Sequence, residues 1–219
     1  MLDRQITPSI LNVSKQDRPK IVNKLINLGI KWFHYDVMDE KFVSNTGISI
    51  EEIISIKNNC KKHLSDVHLM VENPFEYATQ LSDHVTCLTV HFESFKSESE
   101  LVKFVDQFSH TNWVGLAINP ETDFSKIRHI LYLFDLVLIM SVNPGFGGQK
   151  FIEKIYKKIV EIKEFIDEEK LPTIIQVDGG INDENSKKIF SLGSSFNVVG
   201  TYLINNIDDL NVLKKLGKL

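Results

Sequence analysis

The residues best suited to chemistry fall in one short stretch, His34-Tyr35-Asp36-Val37-Met38, which ends an aromatic and β-branched run starting at Trp32. A run of this kind, bounded by loop residues, predicts a strand. Alternation puts His34, Asp36 and Met38 on one face and Phe33, Tyr35 and Val37 on the other. An imidazole and a carboxylate then stand roughly 7 Å apart along one line. That spacing suits two ligands of one metal ion, or an acid and the group that orients it. A single H-x-D also suits a buried hydrogen bond that serves packing alone, so the rest of the chain has to decide.

Similar residues recur at other strand ends. His68 and Met70 share a face at the end of a second apolar run, and Asp178 closes another. Two His and two Asp from three strands could converge on one divalent ion, and imidazole with carboxylate suits Zn²⁺, Fe²⁺, Mn²⁺ or Co²⁺. His91 and Glu93 repeat the spacing. They would exceed what one ion needs, so they either pack or support the ligands from behind. Ser9, Met38, Met70 and Met140 also sit at strand ends, and these three methionines are all that the chain has besides Met1.

The glycines form a second constellation. Gly145-Phe146-Gly147-Gly148, Gly179-Gly180 and Gly200-Thr201 follow three successive apolar runs. Glycine lets the backbone come close to a ligand, and N–H groups at loop turns or helix starts bind phosphate without a charged side chain. A lone Gly-Gly is usually only a turn. Three in succession after the last three strands match the phosphate site of a barrel.

The elements needed to position these groups are legible as an alternating series. Strands are expected at 7–11, 32–38, 66–71, 87–93, 113–119, 136–142, 173–177 and 196–199. Helix signals separate them. Asp17 and Pro19 precede Ile21, Val22, Leu25 and Ile26, with Gly29 placed to end the helix. Ser49 with Glu52 and Ser97 with Glu100 are capping boxes, and Asn73-Pro74 is a further start. Pro120 and Thr122-Asp123 open a short helix carrying Ile127, Ile130 and Leu131, and a helical stripe runs from 151 to 166. Asn182 and Asp183 cap a helix ending near Gly193, and Asp208 opens an amphipathic segment carrying Leu210, Leu213 and Leu216. Eight strand-then-helix units predict an α/β fold, a (β/α)₈ barrel with its site at the C-terminal strand ends, rather than an open doubly wound sheet.

Composition agrees. A chain of 219 residues, 42% hydrophobic, can bury one large core, so 1–219 is read as a single barrel domain. A net charge of −4 argues against nucleic acid or an anionic membrane as partner. An anionic ligand must therefore be captured locally, as the glycine loops allow. No run approaches the roughly 20 apolar residues of a membrane span. Cys60 and Cys87 form no framework, which points to a reducing, cytoplasmic setting. Oligomeric state stays open, a homo-oligomer included.

With these residues in view the chain resembles the ribulose-phosphate 3-epimerase family. The segments that carry the resemblance are PSIL (8–11), HYDVMD (34–39), DVHLMVENP (66–74), HFES (91–94), GLAINPET (115–122), MSVNPGFGGQKFI (140–152), VDGGIN (177–182) and VVGTYLI (198–204). The resemblance implies a barrel that converts D-ribulose 5-phosphate to D-xylulose 5-phosphate in pentose phosphate metabolism. It implies His34, Asp36, His68 and Asp178 as ligands of one divalent metal, and two imidazoles with two carboxylates suit Zn²⁺ or Fe²⁺ before Mn²⁺ or Co²⁺. Asp36 and Asp178 would also be the acid–base pair that moves protons at C3 through a metal-stabilised enediolate. Ser9, His68, Met38, Met70 and Met140 would line the substrate. Gly145, Phe146, Gly147, Gly148, Gly179, Gly180, Gly200 and Thr201 would hold its phosphate.

One segment departs from the family pattern. Where the family commonly reads D-G-x-F-V-P-N, this chain has Asp39-Glu40-Lys41-Phe42-Val43-Ser44-Asn45 and lacks both the Gly and the Pro. A loop of different shape or rigidity is expected there. Two other functions stay open: 3-epimerisation of a hexulose phosphate such as D-allulose 6-phosphate, and a sugar-phosphate-binding barrel without turnover. A Schiff-base lyase is disfavoured, because no lysine stands at a strand end to form the adduct.

Overall fold

The computed structural model describes residues 4–217. Its eight strands are β1 (Gln5–Pro8), β2 (Trp32–Met38), β3 (Leu64–Met70), β4 (Cys87–His91), β5 (Trp113–Ile118), β6 (Leu136–Met140), β7 (Ile174–Asp178) and β8 (Phe196–Val199). All pair in parallel, in the order β1-β8-β7-β6-β5-β4-β3-β2, and a parallel bridge between Ser9 and His34 brings the two end strands together. The helices are α1 (Arg18–Asn27), α2 (Ile50–Asn59), α3 (Pro74–Leu81), α4 (Glu98–Phe108), α5 (Ile155–Glu168), α6 (Ser186–Ser191), α7 (Thr201–Asn205) and α8 (Val212–Lys215). This is the (β/α)₈ barrel expected. Among the described residues, no helix is long and apolar enough to cross a membrane.

The barrel interior changes character from bottom to top. Trp32, Trp113 and Phe196 plug the end where the strands start, the Trp32 ring lying 5.4 Å from Trp113 and 5.2 Å from Phe196. One step up, His34, Asp66 and Thr89 are fully buried, and above them come Asp36, His68 and His91. The β2–β3 register sets His34 opposite Asp66, Asp36 opposite His68 and Met38 opposite Met70. Period-two alternation thus turns a sequence pattern into three cross-strand pairs stacked along the barrel interior towards its C-terminal end.

Several boundaries differ from expectation for identifiable reasons. The first strand was expected at 7–11 but ends at Pro8. Beyond it, Arg18 takes the carbonyls of Ile10 and Leu11, donating through Nε at 3.2 Å and Nη2 at 3.0 Å, so neither carbonyl serves a ladder. The helix expected after β5 is instead two 3₁₀ segments, Phe124–Lys126 and Arg128–Leu133. The helix expected from 151 starts at Ile155, because Ile152 N–H donates to the Ser141 carbonyl. Both capping boxes form their Ser caps, on Glu52 N–H and Glu100 N–H, whereas Asn73 caps nothing. Leu210 is 90% exposed and not part of a buried stripe. Asp209 accepts from Asn211 N–H, α8 starts at Val212, and Val212 takes the buried position instead.

Candidate active site

His34, Asp36, His68 and Asp178 each bring one ligand atom to a common point, all within 4.8 Å of one another. Asp36 is the centre. Its Oδ2 accepts from Ser9 Oγ at 2.6 Å, which leaves Oδ1 facing His34 Nε2 at 3.3 Å and His68 Nδ1 at 3.4 Å. Asp178 Oδ2 lies 3.9 Å from His34 Nε2. Asp178 comes from β7, three strands round the barrel from Asp36 on β2. Ser141 fixes its backbone, donating from Oγ to the carbonyls of Asp178 and Gly179, each at 2.7 Å.

Behind the cluster each imidazole has a partner. His34 Nδ1 lies 2.7 Å from Asp66 Oδ2, and Asp66 Oδ1 accepts from Thr89 Oγ1 at 2.6 Å. His68 Nε2 lies 2.8 Å from His91 Nε2, and His91 Nδ1 lies 3.1 Å from Glu93 Oε2. Of the two residues that the sequence leaves between packing and support, His91 contacts His68 and Glu93 contacts His91, and neither stands at the cluster itself. The front nitrogens, His34 Nε2 and His68 Nδ1, are buried and have no hydrogen-bond partner.

The charges are polarised accordingly. Burial alone would raise the Asp36 carboxyl, but the His34 and His68 imidazoles outweigh it and hold it well below the usual carboxylate range. Burial pushes Asp178 up to about 7, and the charges of Asp36 and Asp66 add to this against the pull of His34. Burial would lower His34, yet Asp66 and Asp36 lift it well above its ordinary value. Burial keeps His68 low and pushes His91 down to about 4. Three carboxylates around two imidazoles call for positive charge at the centre. Two unpartnered imidazole nitrogens and two carboxylates fit a divalent cation, and this buried His/Asp cluster could hold one.

Above the cluster opens a cleft of about 260 Å³. Ser9, Asp36, Met38, Met70, Met140 and Asp178 line its floor and walls. Gly145, Phe146, Gly147, Gly148, Gly179, Gly180, Gly200 and Thr201 line the same cleft. His34 and His68 lie beneath it, fully buried. Gly145, Gly148, Gly179 and Gly180 all have positive φ, and a Cβ on Gly180 would come within 2.4 Å of Phe151 N. Glycine is therefore required at that turn.

Sequence reasoning gave no role to Asp66, Thr89 or Asn12. Asp66 continues the 66, 68, 70 alternation one step down the strand, which was a usable signal. Asn12 lies outside any strand and gave none. Its Nδ2 donates to Thr201 Oγ1 at 2.8 Å, joining the loop after β1 to the start of α7 beside the glycines.

The departing loop keeps an unusual backbone in spite of its sequence. Glu40 has φ of 60°, the left-handed region open to glycine at no steric cost. Asp39 pins it, its Oδ1 accepting from Lys41 and Phe42 N–H at 2.9 and 2.8 Å and its Oδ2 from Glu72 N–H at 2.6 Å. Asn45 ties the loop to the glycine segment by donating to the Gly145 carbonyl at 2.7 Å.

A parallel eight-stranded barrel with an acidic, cation-seeking cluster beneath a glycine-walled cleft defines a (β/α)₈ barrel of the kind that works at its C-terminal strand ends. Comparison with known proteins makes the assignment specific. A sequence profile of the ribulose-phosphate 3 epimerase family matches residues 5–204, and the chain belongs to that family. The ribulose-phosphate 3-epimerase of Buchnera aphidicola subsp. Baizongia pistaciae is 34% identical over 212 residues, which cover 94% of this chain and 92% of the relative. That of Bacillus subtilis is 31% identical over 214 residues, 97% of each chain. The solved 3-hexulose-6-phosphate synthase from Salmonella typhimurium superimposes with a TM-score of 0.68 over 97% of this chain and 96% of that one. At 13% identity this is a likeness of fold alone.

Proposed function

We propose that this chain inverts C3 of D-ribulose 5-phosphate to give D-xylulose 5-phosphate, with Asp36 and Asp178 as the two proton carriers. The observation that carries the reading is that these two carboxylates, from strands three apart round the barrel, line one cleft and converge on the same His/Asp cluster. Inversion next to a carbonyl needs a base on one face of the carbon and an acid on the other. Two carboxylates that reach one cleft from separate strands are placed for those roles.

In this reading His34, Asp36, His68 and Asp178 hold a divalent ion, and Zn²⁺ or Fe²⁺ suits a set of two imidazoles and two carboxylates. When bound, it would supply Lewis-acid stabilisation of the negative charge that develops on the substrate oxygens. The protein's own part is positional. Ser9 holds Asp36 in one rotamer by its hydrogen bond to Oδ2. Met38, Met70 and Met140 wall the reacting carbon with polarizable groups that offer no competing proton. The N–H groups around Gly145 to Gly148, Gly179 with Gly180, and Gly200 with Thr201 take the phosphate. Residues 1–219 would act as one catalytic domain, in a reducing cytoplasm that suits the free Cys60 and Cys87.

The test is turnover of D-ribulose 5-phosphate and D-allulose 6-phosphate by purified protein whose metal content has been measured. Preference for the pentose supports the reading. Preference for the hexulose would move it to another ketose-phosphate 3-epimerase, and turnover of neither would leave a binding barrel.

A further inference from the structure

We infer that Glu93 and His91 are positioning residues that set the proton on His68, so that its Nδ1 faces the cluster as a lone pair. The inference rests on the reading of the cluster as a cation site, and it assigns work to two residues outside that cluster.

The chain of contacts runs inward from the surface. Lys158, on α5, donates through Nζ to the carbonyls of Asn119, Pro120 and Thr122, at 3.3, 2.8 and 2.7 Å. This holds the loop after β5 in place. The loop in turn presents two donors to Glu93 Oε1, Asn119 N–H at 2.9 Å and the Thr122 hydroxyl. A carboxylate that already accepts twice is an acceptor at its other oxygen too. Glu93 Oε2 therefore takes the hydrogen of His91 Nδ1, 3.1 Å away.

The polarity then propagates. With its hydrogen on Nδ1, neutral His91 offers a lone pair at Nε2. His68 Nε2, at 2.8 Å, must supply the hydrogen of that contact. His68 Nδ1 is left bare, buried, and 3.4 Å from Asp36 Oδ1. Reversing the first bond reverses every later one, and His68 would then turn an N–H towards Asp36 and offer no lone pair to a cation. At its Nδ1 side His68 meets Asp36 Oδ1 at 3.4 Å, too long to outweigh the 2.8 Å contact at Nε2 in setting its orientation, and Phe42 covers His91 with its ring, the centroids 4.8 Å apart. The relay is closed to water on that side.

Two measurements on the full-length chain test this. The first is the ¹⁵N shifts of the His68 ring in metal-free protein, where an unprotonated Nδ1 and a protonated Nε2 are expected. The opposite tautomer overturns the inference whatever the variants do. The second is Zn²⁺ affinity by competition with a chromophoric chelator. Glu93→Gln and His91→Leu are expected to weaken Zn²⁺ by about 10- to 100-fold, as loss of a ligand's outer partner typically does. His91→Gln keeps an acceptor for His68 and should restore much of the affinity. Equal affinity in all four proteins, or equal loss in His91→Leu and His91→Gln with the fold intact, overturns the inference. Wild-type protein that binds no Zn²⁺ overturns the cation site with it. Epimerase activity with intact affinities would leave the proposed function standing and remove only the relay.

Discussion

His34 Nδ1 and Asp66 Oδ2 stand 2.7 Å apart across the β2–β3 register, and this contact decides which nitrogen of His34 faces the cluster. With the Nδ1 hydrogen given to Asp66, Nε2 points at Asp36 and Asp178. Asp66→Asn removes the charge that enforces this and should weaken Zn²⁺ by about 10- to 100-fold. Chelator competition measures it, and unchanged affinity would show that Asp66 only fills space.

Thr89 keeps Asp66 in place, and Gly115 on the neighbouring strand leaves room for Thr89. A Cβ at Gly115 would fall 2.5 Å from Thr89 Oγ1 and 3.0 Å from Leu136 Cδ2. Gly115→Ala should cost about 1 to 3 kcal/mol, as overpacking of a filled core does. Urea unfolding reads this directly. A variant as stable as the parent would mean that Thr89 moves aside without cost.

Glu40 carries a conformational cost that glycine would not. A left-handed backbone costs a side-chain-bearing residue about 1 to 2 kcal/mol, and the extra freedom of unfolded glycine returns part of that. Glu40→Gly is therefore expected to stabilise the protein by up to about 1 kcal/mol and leave turnover unchanged. A loss of stability would show that the Glu40 side chain itself holds the loop.

His63 should make the fold sensitive to acid. Burial lowers its imidazole, while Nδ1 donates to the Lys61 carbonyl and Nε2 accepts from Tyr35 Oη, both at 2.7 Å. Because the unfolded chain takes up the proton first, His63 contributes fully above the ordinary imidazole value of about 6.5, and its contribution falls as pH drops from there through the lower native value. His63→Gln is expected to lower stability at neutral pH but to lose less on acidification. Urea midpoints on both sides of that window test this, and parallel curves for the two proteins would contradict it.

Much of this molecule was legible in the sequence, because alternation in a parallel barrel carries side chains to one cleft without help from distant loops. His34, Asp36 and Met38 could be placed on one face from β2 alone, and β3 supplied His68 and Met70 in the same phase. The loops were less legible. That Arg18 would end β1 by taking two carbonyls, or that Asn12 would reach Thr201, depends on contacts between residues far apart in the chain, which no local pattern encodes. Asp66 was an intermediate case, in phase with its neighbours but one step below the level at which strand ends announce a site.

The measurement closest to the centre of this account is solvent exchange at C3. In D₂O, metal-loaded protein should convert D-ribulose 5-phosphate to D-xylulose 5-phosphate carrying deuterium at C3. Asp36→Asn and Asp178→Asn, each with metal content checked, should each slow this by about 10³-fold or more. Either variant keeping most of its turnover would contradict a mechanism in which these two carboxylates move the proton.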